Sequence, residues 1–343
     1  MSYWAEIGLF VGKTAIIVIA VFAIVTIIAS AAQKAKGMIA QGCLSVKHLN
    51  KTLDDAKNIL RTTVIPKAEL KQILKSEHKK EKQKEKQKND HQKSIYVIDF
   101  KGDMKASSAK NLSEEVSAIL SIAKKNDEVL VRLESPGGIV HGYGFAMSQL
   151  ERIIKNDIRL VIAVDKVAAS GGYMMACVAN HIIAAPFAVI GSIGVIAQLP
   201  NINRLLKNNN IDIEQHTAGE YKRTLTVLGE NTEKGRKKFL EDLERTHVLF
   251  KQHVEKYRKQ ADIDKIATGE IWYGQEAIEK KLIDELGTSA EYLFTQMNKN
   301  TNVYQVNWKE KKKGILQKFG KGVENTTLKV VDNLWEKMTN RFF

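Results

Sequence analysis

Two cysteines in 343 residues rule out a disulfide framework, which would need several pairs. Cys177 sits in an apolar run and reads as core. Cys43 follows Ala40-Gln41-Gly42 but lies eleven residues past the first apolar run, without the leucine of a lipid-attachment site, and reads as a plain thiol. The chain has no H-E-x-x-H, no C-x-x-C and no G-x-x-x-x-G-K-[ST]. Neither a metal nor a nucleotide is indicated, and no cofactor is expected.

Charge is scarce in one place and crowded in others. Residues 7–32 contain one charge, Lys13, and Thr14 to Ala32 contain none. As a helix this stretch reaches about 28 Å or more, enough for a bilayer core of about 30 Å. Residues 1–33 are therefore expected to be a transmembrane anchor. Ala29-Ser30-Ala31 would suit a cleaved signal peptide, but the length of the run and the lack of a basic stretch before it favour an uncleaved helix. The net charge of +14 resides wholly in residues 34–93 (+9) and 309–343 (+5), so the rest of the chain is neutral. Basic segments of this kind suit anionic lipid headgroups, at about 1 kcal/mol per cation. No aromatic-interleaved basic patch stands out in them, and nucleic acid is not an expected partner. Lys34, Lys36, Lys47 and Lys51 follow the apolar run, against Lys13 before it, a balance that puts the C-terminal side in the cytoplasm.

Residues 34–93 read as a basic juxtamembrane region ending in a charged linker, because 79–93 contain no apolar residue. A folded domain is expected over 94–290. There, strands at 95–100, 128–133 and 160–164 alternate with helical spacing at 107–125 and 143–155, a pattern of βαβ units with parallel pairing. The apolar stretch Met174 to Leu199 is broken at Asn180-His181, Pro186 and Gly191 and reads as buried core elements. A charged helix is expected over 230–259, and an amphipathic tail over 291–343.

Chemistry concentrates at three sites. Ala168-Ala169-Ser170-Gly171-Gly172-Tyr173 puts a serine between small residues just past a strand, where its hydroxyl can be exposed. Ser135-Pro136-Gly137-Gly138 follows another strand, and its glycines let backbone N–H groups approach a ligand. Lys222, 52 residues after Ser170, is a candidate base. Taken singly, each has an ordinary structural explanation as a cap, a turn or a surface lysine. Together they describe a serine-lysine hydrolase.

With Gly191-Ser192-Ile193-Gly194-Val195, Gly219-Glu220-Tyr221-Lys222-Arg223, and Ile271-Trp272-Tyr273-Gly274 followed by Leu282-Ile283-Asp284-Glu285-Leu286-Gly287, these motifs resemble the signal peptide peptidase A family of serine-lysine peptidases. The resemblance runs from about Ser94 to Gly287. Without an internal repeat, the chain is similar to the family's single-repeat form.

The resemblance implies Ser170 as nucleophile, Lys222 as general base, the N–H groups of Gly137 and Gly171 as oxyanion donors, and Ser192 as the hydroxyl that holds the lysine amine. It implies an α/β fold, the ClpP/crotonase-like repeated β-β-α superhelix. It also implies a place in the bacterial inner membrane, on the periplasmic face in its better-known members, assembly into a homo-oligomer, and peptide substrates such as signal-peptide remnants or misfolded segments. Lys281 departs from the family, which has glycine there. A ClpP-type triad would need a histidine where Val195 stands, and His181 reads as a core residue. From another class, a membrane-anchored assembly scaffold with vestigial catalytic groups would also fit an anchor, a linker and a tail.

Overall fold

The computed structural model describes residues 42–73, 75 and 93–309. Its frame is a seven-stranded sheet in the order β1-β10-β2-β3-β4-β6-β9 beside a three-stranded sheet, β5-β7-β8. The strands are β1 (Cys43–His48), β2 (Ser94–Lys101), β3 (Glu128–Glu134), β4 (Arg159–Val164), β5 (Val167–Ala169), β6 (His181–Ala184), β7 (Val189–Gly191), β8 (Ile271–Tyr273), β9 (Glu285–Leu286) and β10 (Asn302–Lys309). The helices are α1 (Leu49–Val64), α2 (Ala109–Leu120), α3 (Val140–Lys155), α4 (Gly171–Ala176), α5 (Asn203–Asn208), α6 (Glu233–Tyr257), α7 (Ile263–Ile266), α8 (Gly274–Glu279) and α9 (Ser289–Asn298).

Strands β10, β2, β3, β4, β6 and β9 pair in parallel. Strands β2 to β4 are covered on both faces and so read as continuous apolar runs. Alternate residues part accordingly. Tyr96, Ile98, Val129, Val131, Leu160 and Ile162 join the larger core with α2, α3 and α4. Ile95, Val97, Leu130, Val161 and Ala163 pack on the other face with Leu293 of α9 and Leu49 of α1.

Strands β4 and β6 each lead within a few residues to a strand of the small sheet, β5 and β7, which pair in parallel. The residue after β3, Ser135, bridges to Ala168 of β5 in the same sense. Three successive chain passes thus arrive side by side just past their strands, at Ser135, Ser170 and Ser192.

The expected domain bounds, 94–290, are narrower than the compact unit, Leu44–Trp308. Strand β1 and helix α1 come from the region read as juxtamembrane, and α9 and β10 from the region read as tail. The stretch 174–199 divides into the end of α4, β6, β7 and an irregular segment. Among the described residues no helix is long and apolar enough to cross a membrane. The expected anchor, the charged run up to residue 92 and the tail beyond Lys309 lie outside the described residues.

Candidate active site

Ser170 occupies φ 52°, ψ −120°, a conformation that costs a residue with a Cβ about 1–3 kcal/mol. Its neighbours hold it there. Ala169 is registered against Gly191, the Ser170 N–H donates to the Gly191 carbonyl (2.8 Å), and the Ser170 carbonyl accepts from Met174 N–H (2.9 Å). Space behind the turn is closed: a Cβ on Gly171 would lie 2.4 Å from Tyr143 Cγ, and one on Gly172 2.5 Å from the Ser135 carbonyl oxygen. The half-buried Ser170 side chain makes no capping bond to the helix it begins, so its hydroxyl is left uncommitted there.

The Ser135–Gly138 turn comes directly against this serine. A Cβ on Gly137, at φ +90°, would sit 2.7 Å from both Gly171 N and Ser170 Cβ. Gly137 and Gly171 therefore lie against each other, but the Gly137 amide is not presented as the resemblance implies. The Gly137 N–H is turned inward, donating to Ser135 Oγ at 3.1 Å, because Ser135 is fully buried and its hydroxyl needs a donor. The amides of Gly138 and Gly171 have no acceptor among the described residues.

Ser192 adjoins Ser170 through the Ala169–Gly191 register, and it too is left-handed, at φ 51°. Its N–H donates to the Glu270 carbonyl at 2.7 Å. Lys222 is not brought to this group. It is exposed, its N–H closes a turn onto Gly219 (3.1 Å), and it forms no hydrogen bond with Ser170 or Ser192 among the described residues. Its turn leans on α6 instead, through a Glu220–Lys234 ion pair (2.5 Å) and Lys238 over the Tyr221 ring. Past buried Ile193, the segment up to residue 232 holds one short helix, α5, and leaves Ile196, Leu205 and Ile211 exposed, so the core anchors it little.

Comparison with known proteins decides the family. The profile described as Peptidase family S49 N-terminal matches residues 2–150, and that of Peptidase family S49 matches residues 152–304. The chain belongs to peptidase family S49. It is 49% identical to a Haemophilus influenzae protein named probable protease SohB, covering 98% of this chain and 97% of that one. A Buchnera aphidicola (Baizongia pistaciae) protein named putative protease SohB is 42% identical over the whole of both chains. Among solved structures, a mutant of the 1510-N membrane-bound stomatin-specific protease aligns with 61% of this chain and 86% of its own, at 15% identity and a TM-score of 0.41. The chain is a serine peptidase.

Around Ser170, helix α4 is pinned from behind. Tyr173 Oη donates to the Leu282 carbonyl (2.8 Å), and His253 Nε2 bonds the Met174 carbonyl (3.0 Å). Burial lowers the His253 pKa, so the ring donates as a neutral imidazole. The Leu-Ile-Asp motif is held in turn by buried Arg258, which forks onto Asp284 (2.9 Å to each oxygen) and donates twice to the Lys281 carbonyl. Lys281 stands at φ 61°, the left-handed region that suits the glycine the resemblance expects at this position. His181 pairs with Glu285 (2.8 Å) across neighbouring strands, away from any triad role. Sequence reasoning missed Tyr143: it reads as one more helix residue, yet its ring underlies Gly171.

Proposed function

We propose that the protein is a membrane-anchored serine endopeptidase of the bacterial inner membrane. It would cleave extended peptides, signal-peptide remnants or misfolded segments, with Ser170 as nucleophile and Lys222 as base. The observation that carries this reading is Ser170 itself, a strained serine with an uncommitted hydroxyl against Gly137 and Gly171. The strand-strand-helix alternation supports a ClpP/crotonase-like superhelix.

In the cycle, Ser170 Oγ attacks the scissile carbonyl as Lys222 takes its proton. The oxyanion is received by Gly171 N–H and by the uncommitted Gly138 N–H, which takes the part the resemblance gives to Gly137. Each donor is worth about 3–4 kcal/mol. Lys222 then protonates the leaving amine, and water releases the acyl group by the reverse path.

A lysine serves as base only while neutral, so the amine must leave water, and Ser192 is the hydroxyl suited to orient it. In the single chain Lys222 is exposed. A homo-oligomer that covers Ile196, Leu205 and Ile211 supplies the missing burial.

Labelling of the detergent-solubilised protein with a fluorophosphonate probe tests the reading. Ser170→Ala abolishes labelling, and Lys222→Ala slows it at least about 100-fold. A wild-type chain that stays unlabelled, under conditions that label a control enzyme, returns the scaffold reading.

A further inference from the structure

Ser135, Tyr143 and the Asp103 carbonyl form a buried hydrogen-bond chain with a fixed direction. Both side chains are fully buried. Tyr143 Oη donates to the Asp103 carbonyl oxygen at 2.8 Å, an atom that only accepts. The phenol's single proton is thereby used, so Ser135 Oγ is the donor in the 2.6 Å contact between the two hydroxyls. Ser135 Oγ in turn accepts the Gly137 N–H at 3.1 Å. Burial raises the Tyr143 pKa, which keeps the phenol protonated at working pH. Three glycines make room for the pair. A Cβ on Gly102 would lie 2.3 Å from Ser135 Oγ, while Gly171 and Gly172 abut the Tyr143 ring and the Ser135 backbone.

We propose that Tyr143 and Ser135 are positioning residues: they fix the Pro136–Gly137 peptide, from which the Gly138 N–H is directed beside the Gly171 amide, and so aim the oxyanion donors. The proposal rests on the serine-peptidase reading above. Neither side chain touches substrate; both act through the backbone of the turn, which they tie to the end of β2 and to the floor beneath the nucleophile.

The test uses the full-length protein in detergent, with steady-state cleavage of a peptide and inhibition by a peptide aldehyde. Addition of Ser170 Oγ to the aldehyde carbon leaves an oxygen where the oxyanion forms. Tyr143→Phe keeps the ring and deletes the hydroxyl. It lowers kcat about ten- to a hundredfold with KM within about twofold, and weakens the aldehyde by the same factor as kcat. Ser135→Ala gives the same pattern, and the double variant is no worse than the weaker single one, because the chain acts as a unit. If Tyr143→Phe does not fold, Ser135→Ala alone carries the test. Variants with wild-type kcat, or a loss of kcat without matching loss of aldehyde affinity, overturn the proposal while leaving the peptidase reading intact. A wild type without Ser170-dependent cleavage overturns both.

Discussion

At Ser170 the backbone gives up about 1–3 kcal/mol to present a hydroxyl, and the glycines beside it are what make that conformation reachable. Gly171 shows the constraint most sharply, since an added methyl meets Tyr143 Cγ at 2.4 Å and the ring is itself fully buried. Gly171→Ala is expected to lower stability by about 1–3 kcal/mol through overpacking and to abolish fluorophosphonate labelling, as a thermal melt and a labelling gel would show. Normal labelling would mean that the ring yields and the floor is not rigid. Ser170 and the S-P-G-G turn, each ordinary when taken singly, were legible because several such motifs stand together in order along the chain. The inward turn of the Gly137 amide was not legible, since it depends on a tyrosine eight residues downstream in sequence from Ser135 and on the Asp103 carbonyl in the loop after β2. Lys222 marks the opposite case: its motif names it, yet the single chain leaves it in solvent.

Elements were legible in proportion to their burial. Strands β2, β3 and β4 announce themselves because both faces are covered. The six residues of β1 are mostly exposed, its alternating Leu44 and Val46 among them, and β5 and β7 are three residues each. Strand β10 is tied in by polar bonds that no periodicity reveals. Asn50 of α1 donates to the Thr301 carbonyl and accepts the Val303 N–H, while buried Glu115 of α2 accepts the Trp308 N–H at 2.6 Å. Burial, with Asp99 adding to it, pushes the Glu115 carboxyl up to about 7 against an ordinary 4.5. The folded state thus holds this proton where the unfolded chain has lost it. The resulting stability is present in full below about pH 4.5 and is lost as pH rises through about 7. Glu115→Gln keeps the oxygen that accepts from Trp308. It is expected to add stability on the order of 2 kcal/mol at pH 8, read as a higher melting temperature, while changing little at pH 4.5. An equal effect at both pH values would show that the carboxyl does not titrate in this window.

At the scale of the whole molecule, the composition that excludes a disulfide framework also provides a reporter of topology. Cys177 is fully buried, with its thiol pKa pushed up by burial, so it is unreactive toward maleimides in the folded state. Cys43 is exposed at the start of β1, ten residues beyond the expected anchor. A chain this close to a membrane helix can only lie on the side to which the helix delivers it. Four lysines follow the apolar run within twenty residues and one precedes it, a bias that under the positive-inside rule would retain the following segment on the cytoplasmic side. A membrane-impermeant maleimide is therefore expected to label the protein in inverted inner-membrane vesicles and not in intact right-side-out ones, with Cys43→Ser as the blank. The reverse pattern would place the catalytic unit in the periplasm, as in the better-known members of the resembling family. It would mean that the folded unit crosses despite its basic flank. Release of the protein by alkaline carbonate without detergent would remove the anchor altogether and leave the +9 segment to account for membrane attachment through lipid headgroups alone.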